Sequence, residues 1–378
     1  MNRAAVVKIA QSSAFDFAWR GLRKFQDASA SVERLMGERT IQAKQRPNVR
    51  KQMEQLAYCL RQAYEFSQSS RSSGLSTKAL QAYYSITALA NAEVLWLGDG
   101  LDSIDARPAK YHRHGLSLVQ AASLEASAAN LDLDNGGLLT GLFGLWRGRA
   151  RHCPHYVDRD VETAGNLGQS RHDVSTSMME LSKIEMPGRP ITLTECLQHI
   201  PGLYTSLYSA RMKPKIARGT IKDRIVFDER GKAASVRSQS TIHPCSDDIL
   251  QPILNKFEFS SRLFESISIV KVQSGAVFTL SLTPELFDAP SRGPEIMPDT
   301  AENLYFMGDG DFLNEFGYFY VGLYILGMLS RYYPHTWMKE INRSSVMTIL
   351  CDEFIDLSLV RAPLMTLGIL DNRVFIYE

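Results

Sequence analysis

Apolar residues recur at three- and four-residue steps over residues 48–68, where Met53, Leu56, Ala57, Leu60, Ala63 and Tyr64 share one face. That spacing predicts an amphipathic helix. The polar stretch from Gln68 to Gly74 interrupts it and reads as a loop. Over residues 78–97 apolar side chains fall on nearly every side, from Ala79 through Tyr83, Ile86 and Leu89 to Trp96. A helix that is apolar all round belongs in the middle of a core. Ser76 or Thr77 is expected to cap its start, and Gly98-Asp99-Gly100 to stop it. Residues 14–36 carry Phe15, Phe17, Trp19, Leu22 and Phe25 among charges, a pattern that leaves helix and strand open. After His114-Gly115, an Ala- and Leu-rich run over 116–130 reads as a further helix, and Asn135-Gly136-Gly137 as a turn.

The rhythm then changes. Residues 150–190 are rich in Pro and Gly and read as turns, followed by a short helix from Thr192 to Ile200. Ile221–Phe227, Ala233–Ser240, Ser266–Val272 and Ala276–Leu282 carry β-branched residues, and short turns join them in two pairs. Two hairpins in a small antiparallel sheet are expected. Residues 284–298 read as a Pro-rich loop. Helical spacing returns over 311–333, with Asp311 as the expected cap and Pro334 as the end, and continues over 336–360. Phe316 to Ser330 is the most apolar stretch, but it is shorter than the roughly 18–20 residues that span a bilayer and is flanked by Glu315 and Arg331. It reads as a buried helix, and no membrane association is expected. This order predicts an α+β, predominantly α-helical protein. A helical region, 1–150, precedes a mixed region, 151–305, and a C-terminal helical region, 306–378, packs on the first.

Composition alters this picture in one respect. The 378 residues include 42 Lys/Arg and 41 Asp/Glu, a net charge of +1. Residues 1–151, however, hold 20 basic against 13 acidic side chains, a net of +7, and residues 152–378 a net of −6. Arg20, Arg23, Arg46 and Arg50 belong to this early excess. Such asymmetry points to an RNA or protein partner engaged through the basic N-terminal half, or to a solvated face that offsets the acidic half. Cys59, Cys153, Cys196, Cys245 and Cys351 are odd in number and form no C-x-x-C. They read as reduced thiols of a cytoplasmic protein. Residues 1–10 lack the apolar core of a secretory signal.

Two sets of residues carry a family resemblance. One is Leu60-Arg-Gln-Ala-Tyr-Glu-Phe66 with Ala82-Tyr-Tyr-Ser-Ile-Thr-Ala-Leu-Ala90 and His114-Gly115-Leu116. The other is Asn314-Glu-Phe316 with Gly327-Met-Leu-Ser-Arg-Tyr-Tyr-Pro334 and Trp337-Met338. Together they resemble the YaaC-like bacterial family, which implies a bacterial cytosolic protein with no settled activity. Residues 82–90, followed by His112-x-His114-Gly115, are also similar to the helix pair of HEPN domains. Many of these are ribonucleases with an Arg-x(4–6)-His motif. That likeness implies a HEPN-like helical bundle built from the two ends of the chain, a homodimer, and a setting in a stress or phage-defence module.

Arg107, His112 and His114 fit the HEPN spacing, although Pro108 stands where a polar residue commonly follows the Arg. Metal-independent RNA cleavage needs a base for the 2′-OH proton and a cation for the phosphorane, roles that suit His and Arg. Lys110 and Arg113 are placed to hold the backbone; the alternative is a solvated basic loop. Arg331, Tyr332, Tyr333 and Trp337 suit a cation-and-aromatic binding patch, or alternatively the closing of a helical core. His152, Cys153 and His155, near His172, have one ligand-like spacing without a second Cys/His pair, and no metal is assigned to them. Asp309, Asp311 and Glu315 read as acidity at a helix start. Phosphate-binding glycine loops and the G-x-S-x-G elbow are absent, so no cofactor is expected. Two functions remain: a binding or regulatory protein, and a metal-independent HEPN-type endoribonuclease.

Overall fold

A computed structural model describes the chain except residues 1, 164–170, 228–232, 257–263, 273–274, 283–293 and 301. Strand β1 (Asn2–Ile9) leads into helices α1 (Ala14–Arg23), α2 (Ala28–Glu38), α3 (Arg46–Ser72) and α4 (Leu75–Leu97). Short strands β2 (Leu116–Val119) and β3 (Ala128–Leu131) precede α5 (Gly141–Arg147), β4 (Arg151–Thr163), β5 (Arg171–Glu180) and β6 (Ile191–Thr192). Helices α6 (Leu193–Gln198) and α7 (Tyr204–Ser209) lead to β7 (Ile216–Phe227), β8 (Ala233–Ile242) and α8 (Asp247–Lys256). Strands β9 (Phe264–Val272), β10 (Gly275–Leu282), β11 (Glu295–Pro298) and β12 (Leu304–Met307) follow. The chain ends with α9 (Glu315–Tyr332), α10 (Pro334–Arg343), α11 (Val346–Asp371) and β13 (Arg373–Tyr377).

The protein is α+β and helix-dominated. The two expected hairpins are β7–β8 and β9–β10, both antiparallel. The sheet containing them extends well beyond that expectation, to ten strands with the order β13-β1-β5-β4-β7-β8-β10-β9, while β12 joins β7 and β11 to it. Among the described strands two pairings are parallel: β1 with β13, which brings Ala5–Ile9 beside Arg373–Tyr377, and β4 with β7. Residues 150–190 therefore supply the long β4–β5 ladder rather than a string of turns. The part of the expected 284–298 loop that is described contains β11. The expected helix over 116–130 is instead the antiparallel pair β2–β3, which β6 completes as a second sheet.

One hydrophobic cluster runs from Ile9 to Tyr377 and contains most of α3, α4, α9 and α11. All residues of α9 from Glu315 to Leu329 are buried, as are fourteen residues of α4 between Lys78 and Trp96. The start of α9 is set by Asn314, whose Oδ1 accepts from the Gly317 N–H at 2.9 Å, not by Asp311, which pairs with Lys256. Likewise α4 begins at Leu75 with Gly74 as its cap, rather than at Ser76 or Thr77. The end of α4 is held from three directions. Gln52 Nε2 donates to Leu95 O at 2.6 Å, Arg39 to Trp96 O at 2.7 Å, and Arg149 to Leu97 O at 3.2 Å. These side chains satisfy carbonyls that a helix end leaves without intrahelical partners.

Glu315 and Glu93 are among the acidic side chains that lie buried in this core. Glu315 forms a bidentate pair with Arg361 at 2.9 and 2.6 Å. Glu93 accepts from Trp146 Nε1 at 2.8 Å and from the Thr366 hydroxyl at 2.7 Å. Burial pushes the Glu93 carboxyl up to about 7, and these two hydrogen bonds only partly oppose it. The folded protein thus keeps a proton that the unfolded chain releases above its ordinary carboxylate pKa. Stability attributable to Glu93 falls as pH rises through that window, and the loss is complete above about pH 7. Glu93→Gln can accept from Trp146 and donate to Thr366. We predict that its stability relative to the natural protein rises by up to about 3 kcal/mol between pH 4.5 and pH 8 in denaturant titrations. A difference independent of pH would contradict this.

Candidate functional site

The residues of the two resemblance-bearing stretches meet on one surface. Tyr83 and Tyr84 lie on α4, His114 precedes β2, and Arg331 and Tyr332 end α9. The Tyr83 hydroxyl and His114 Nδ1 are 2.7 Å apart. Tyr320 and Tyr324 of α9 place their rings edge-on to Tyr83, at 6.1 and 5.6 Å between centroids. Tyr324 also donates to Leu116 O at 2.7 Å, fixing the strand after His114 against α9. Arg331 donates to the Tyr84 hydroxyl at 2.8 Å, and its guanidinium lies 5.0 Å from the centre of the Tyr332 ring. Tyr332 is 58% exposed, so one aromatic surface beside this cation is open to solvent.

The electrostatics of the pair are coherent. Partial burial lowers the His114 pKa, the Arg331 charge lowers it further, and Asp132 offsets part of the shift. The imidazole is therefore neutral near pH 7. Burial raises the Tyr83 hydroxyl well above its ordinary value, so it stays protonated. The backbone turn under His114 depends on two glycines. Gly115 has φ +84° and Gly141 has φ +66°; a Cβ on Gly115 would stand 2.2 Å from Thr140 O, and one on Gly141 would stand 2.1 Å from Gly115 N. Only residues without Cβ allow this approach.

The other expected site residues are distributed differently. Arg107 is buried; it donates to Asn91 Oδ1 and, at 3.4 Å, to Asp102 O. Asn91 lies eight residues beyond Tyr83 on α4, a rise of about 12 Å. Arg107 and His114 are thus anchored two turns apart and do not form the base-and-cation pair expected from their spacing. His112 is exposed. Lys110 pairs with Asp134 at 3.1 Å, and it lines an open groove of about 860 Å³ with Arg113, Ser117, Asp132 and Arg189. Trp337 is core: its ring is buried and its indole N–H donates to Leu75 O at 3.2 Å. Tyr333 is half-buried at the junction of α9 and α10.

His152 Nδ1 lies 3.1 Å from Glu295 Oε2, and the Cys153 thiol contacts the Thr176 hydroxyl. The side chains of His155 and His172 lie outside the described residues. Among the described residues, no three His, Cys, Asp or Glu side chains are arranged to hold a metal ion. No helix among the described residues is long and apolar enough to cross a membrane.

The early positive charge is partly internal. Arg39 and Arg149 satisfy the end of α4, and the buried Arg147 donates to Phe312 O at 3.0 Å and Ile184 O at 2.6 Å. Burial lowers Arg147 to about 10. Arg20, Arg23, Arg46 and Arg50 remain exposed, Arg50 beside Glu54 at 3.2 Å. The N-terminal excess therefore overstates the charge offered to a partner.

Fold and site together define a helix-dominated α+β protein whose distant segments converge on a Tyr–His–Arg surface. The chain belongs to the YaaC-like family, described as YaaC-like Protein, which it matches over residues 24–370. Neither the curated proteins nor the solved structures include a match.

Gly115→Ala is expected to lower stability by more than about 1 kcal/mol, because both its backbone conformation and its contact are unavailable to a Cβ. Gly37→Ala, where a Cβ meets nothing within 4 Å in the helical α2, is expected to raise it by up to about 1 kcal/mol. Thermal unfolding of the two variants checks both signs.

Proposed function

We propose that this YaaC-like protein is a bacterial binding or regulatory protein that takes single-stranded RNA at the surface formed by His114, Arg331 and Tyr332. The observation that carries the reading is the exposed Tyr332 ring beside the Arg331 guanidinium, whose charge reaches His114 and lowers its pKa. An open aromatic face accepts a base by stacking, and a guanidinium fork grips phosphate. The groove along Lys110 and Arg113 adjoins His114 through the chain and through Asp132. A setting in a stress or phage-defence module rests on the HEPN resemblance alone.

One observation favours the endoribonuclease reading. His114 and Arg331 are a neutral imidazole and a fixed cation on one surface, so Arg331 would take the role expected for Arg107.

Fluorescence anisotropy with a labelled single-stranded RNA in EDTA tests both readings. Binding is expected to weaken steeply with salt, and Arg331→Ala to weaken it about tenfold or more, with the RNA left intact. Absence of binding at low salt, or an Arg331→Ala protein that binds as well as the natural one, would contradict the proposal. Cleavage lost in His114→Ala would establish the ribonuclease instead.

A further inference from the structure

A second site lies at the far end of α4. Leu97, its last residue, follows Tyr83 by a rise of about 21 Å. Beside Leu97 is an open groove of about 540 Å³. Leu97, Tyr111 and Leu145 supply apolar surface in its wall. Arg39, Arg149 and Arg151 supply three guanidinium groups, and Glu180 a single carboxylate.

The fold gathers these cations. Arg39 donates to Trp96 O at 2.7 Å and Arg149 to Leu97 O at 3.2 Å, so carbonyls of adjacent residues draw the two together. Arg151 opens β4 two residues later, in register with Glu180 of β5. The charges of Arg151 and Arg149 both bear on Arg39 and, with burial, lower its pKa. Arg107 adjoins the cluster, because the Arg149 charge bears on it too.

The carboxylates nearby do not balance this charge. Asp102 pairs with Arg149 at 2.6 Å. Glu38, which also bears on Arg39, is taken by Arg34 at 2.7 Å. Glu180 opposes Arg151 through its field alone. Four guanidinium groups thus share Asp102 and Glu180, since the carbonyls that Arg39 and Arg149 engage carry no net charge. Arg151 is half-buried, and its guanidinium has no hydrogen bond or ion pair among the described residues. Its donors are open to a ligand in the groove. Partly desolvated like charges repel, and an anion between them relieves that cost. A guanidinium fork matches phosphate oxygens in pairs. The groove falls within the range of about 300–1,000 Å³ typical of small-molecule sites, which leaves room for an organic group besides the phosphate.

We propose that this groove binds a small phosphomonoester, with its phosphate on Arg151 beside Arg39 and Arg149 and its organic part along Leu97, Tyr111 and Leu145. Binding is non-covalent and is separate from the Arg331 surface.

Isothermal titration calorimetry of the full-length protein with phenyl phosphate, phenol and inorganic phosphate, at constant pH and ionic strength, tests this. Phenyl phosphate is expected to bind saturably, and phenol to give no saturable heat. Inorganic phosphate is expected to bind about fivefold or more weakly than phenyl phosphate, because it buries no hydrocarbon. Arg151→Gln is expected to weaken phenyl phosphate about tenfold or more. No saturable binding of phenyl phosphate, phenol or inorganic phosphate binding as tightly, or unchanged affinity in Arg151→Gln would each overturn the proposal. If Arg151→Gln does not fold, Tyr111→Ala takes its place. It is expected to weaken phenyl phosphate and leave inorganic phosphate unchanged, and undiminished phenyl phosphate affinity in it would overturn the proposal.

Discussion

The close approach of α9 to α4 organises the molecule. A Cβ added at Gly327 would stand 3.0 Å from Tyr83 Cβ, so the two helices meet with little between them. Both are apolar on almost every side, and neither has a face suited to water. Their contact joins the two ends of the chain in one core, to which α3 and α11 add further layers. It also sets the site. One turn beyond Gly327, Arg331 reaches Tyr84, while Tyr320 and Tyr324 enclose the Tyr83 ring that carries His114.

This contact explains why so much polar chemistry is found inside. Long apolar helices that end within a protein leave carbonyls to be satisfied there. Gln52, Arg39 and Arg149 do this for α4, so some of the early positive charge serves the fold. Glu315 begins α9 in a buried place and is matched by Arg361 from α11. Removing one member of such a pair is far more damaging than replacing both with apolar residues. Glu93 is different, because it is buried without a cation and keeps its proton to near neutrality.

Much of the helical core was legible in the amino-acid pattern. The runs around Leu60, Leu89 and Leu323 have helical spacing, and the hairpins over 216–282 carry β-branched residues with turns between them. The failures are non-local. Nothing near Val6 or Phe375 indicates that these strands pair in parallel across the whole chain. The Ala- and Leu-rich run after Gly115 has helical propensity, but packing under Tyr324 and pairing with β6 make it strands. At the site, His114, Arg331 and Tyr332 were legible as unusual residues, yet their meeting depends on helix packing. Arg107 and Trp337 have equally suggestive sequence surroundings and are held by Asn91 and Leu75. Spacing identifies which residues can do chemistry, and burial decides which of them are available for it.

In the proposed RNA site His114 and Arg331, far apart in the chain, act as one binding surface. A double-mutant cycle on RNA affinity with His114→Ala and Arg331→Ala tests this most directly. Residues that share one ligand group show non-additive losses. The double variant is expected to lose clearly less affinity than the two single losses combined, with a coupling of about 0.5 kcal/mol or more. Strictly additive losses, or no loss from either substitution, would contradict it.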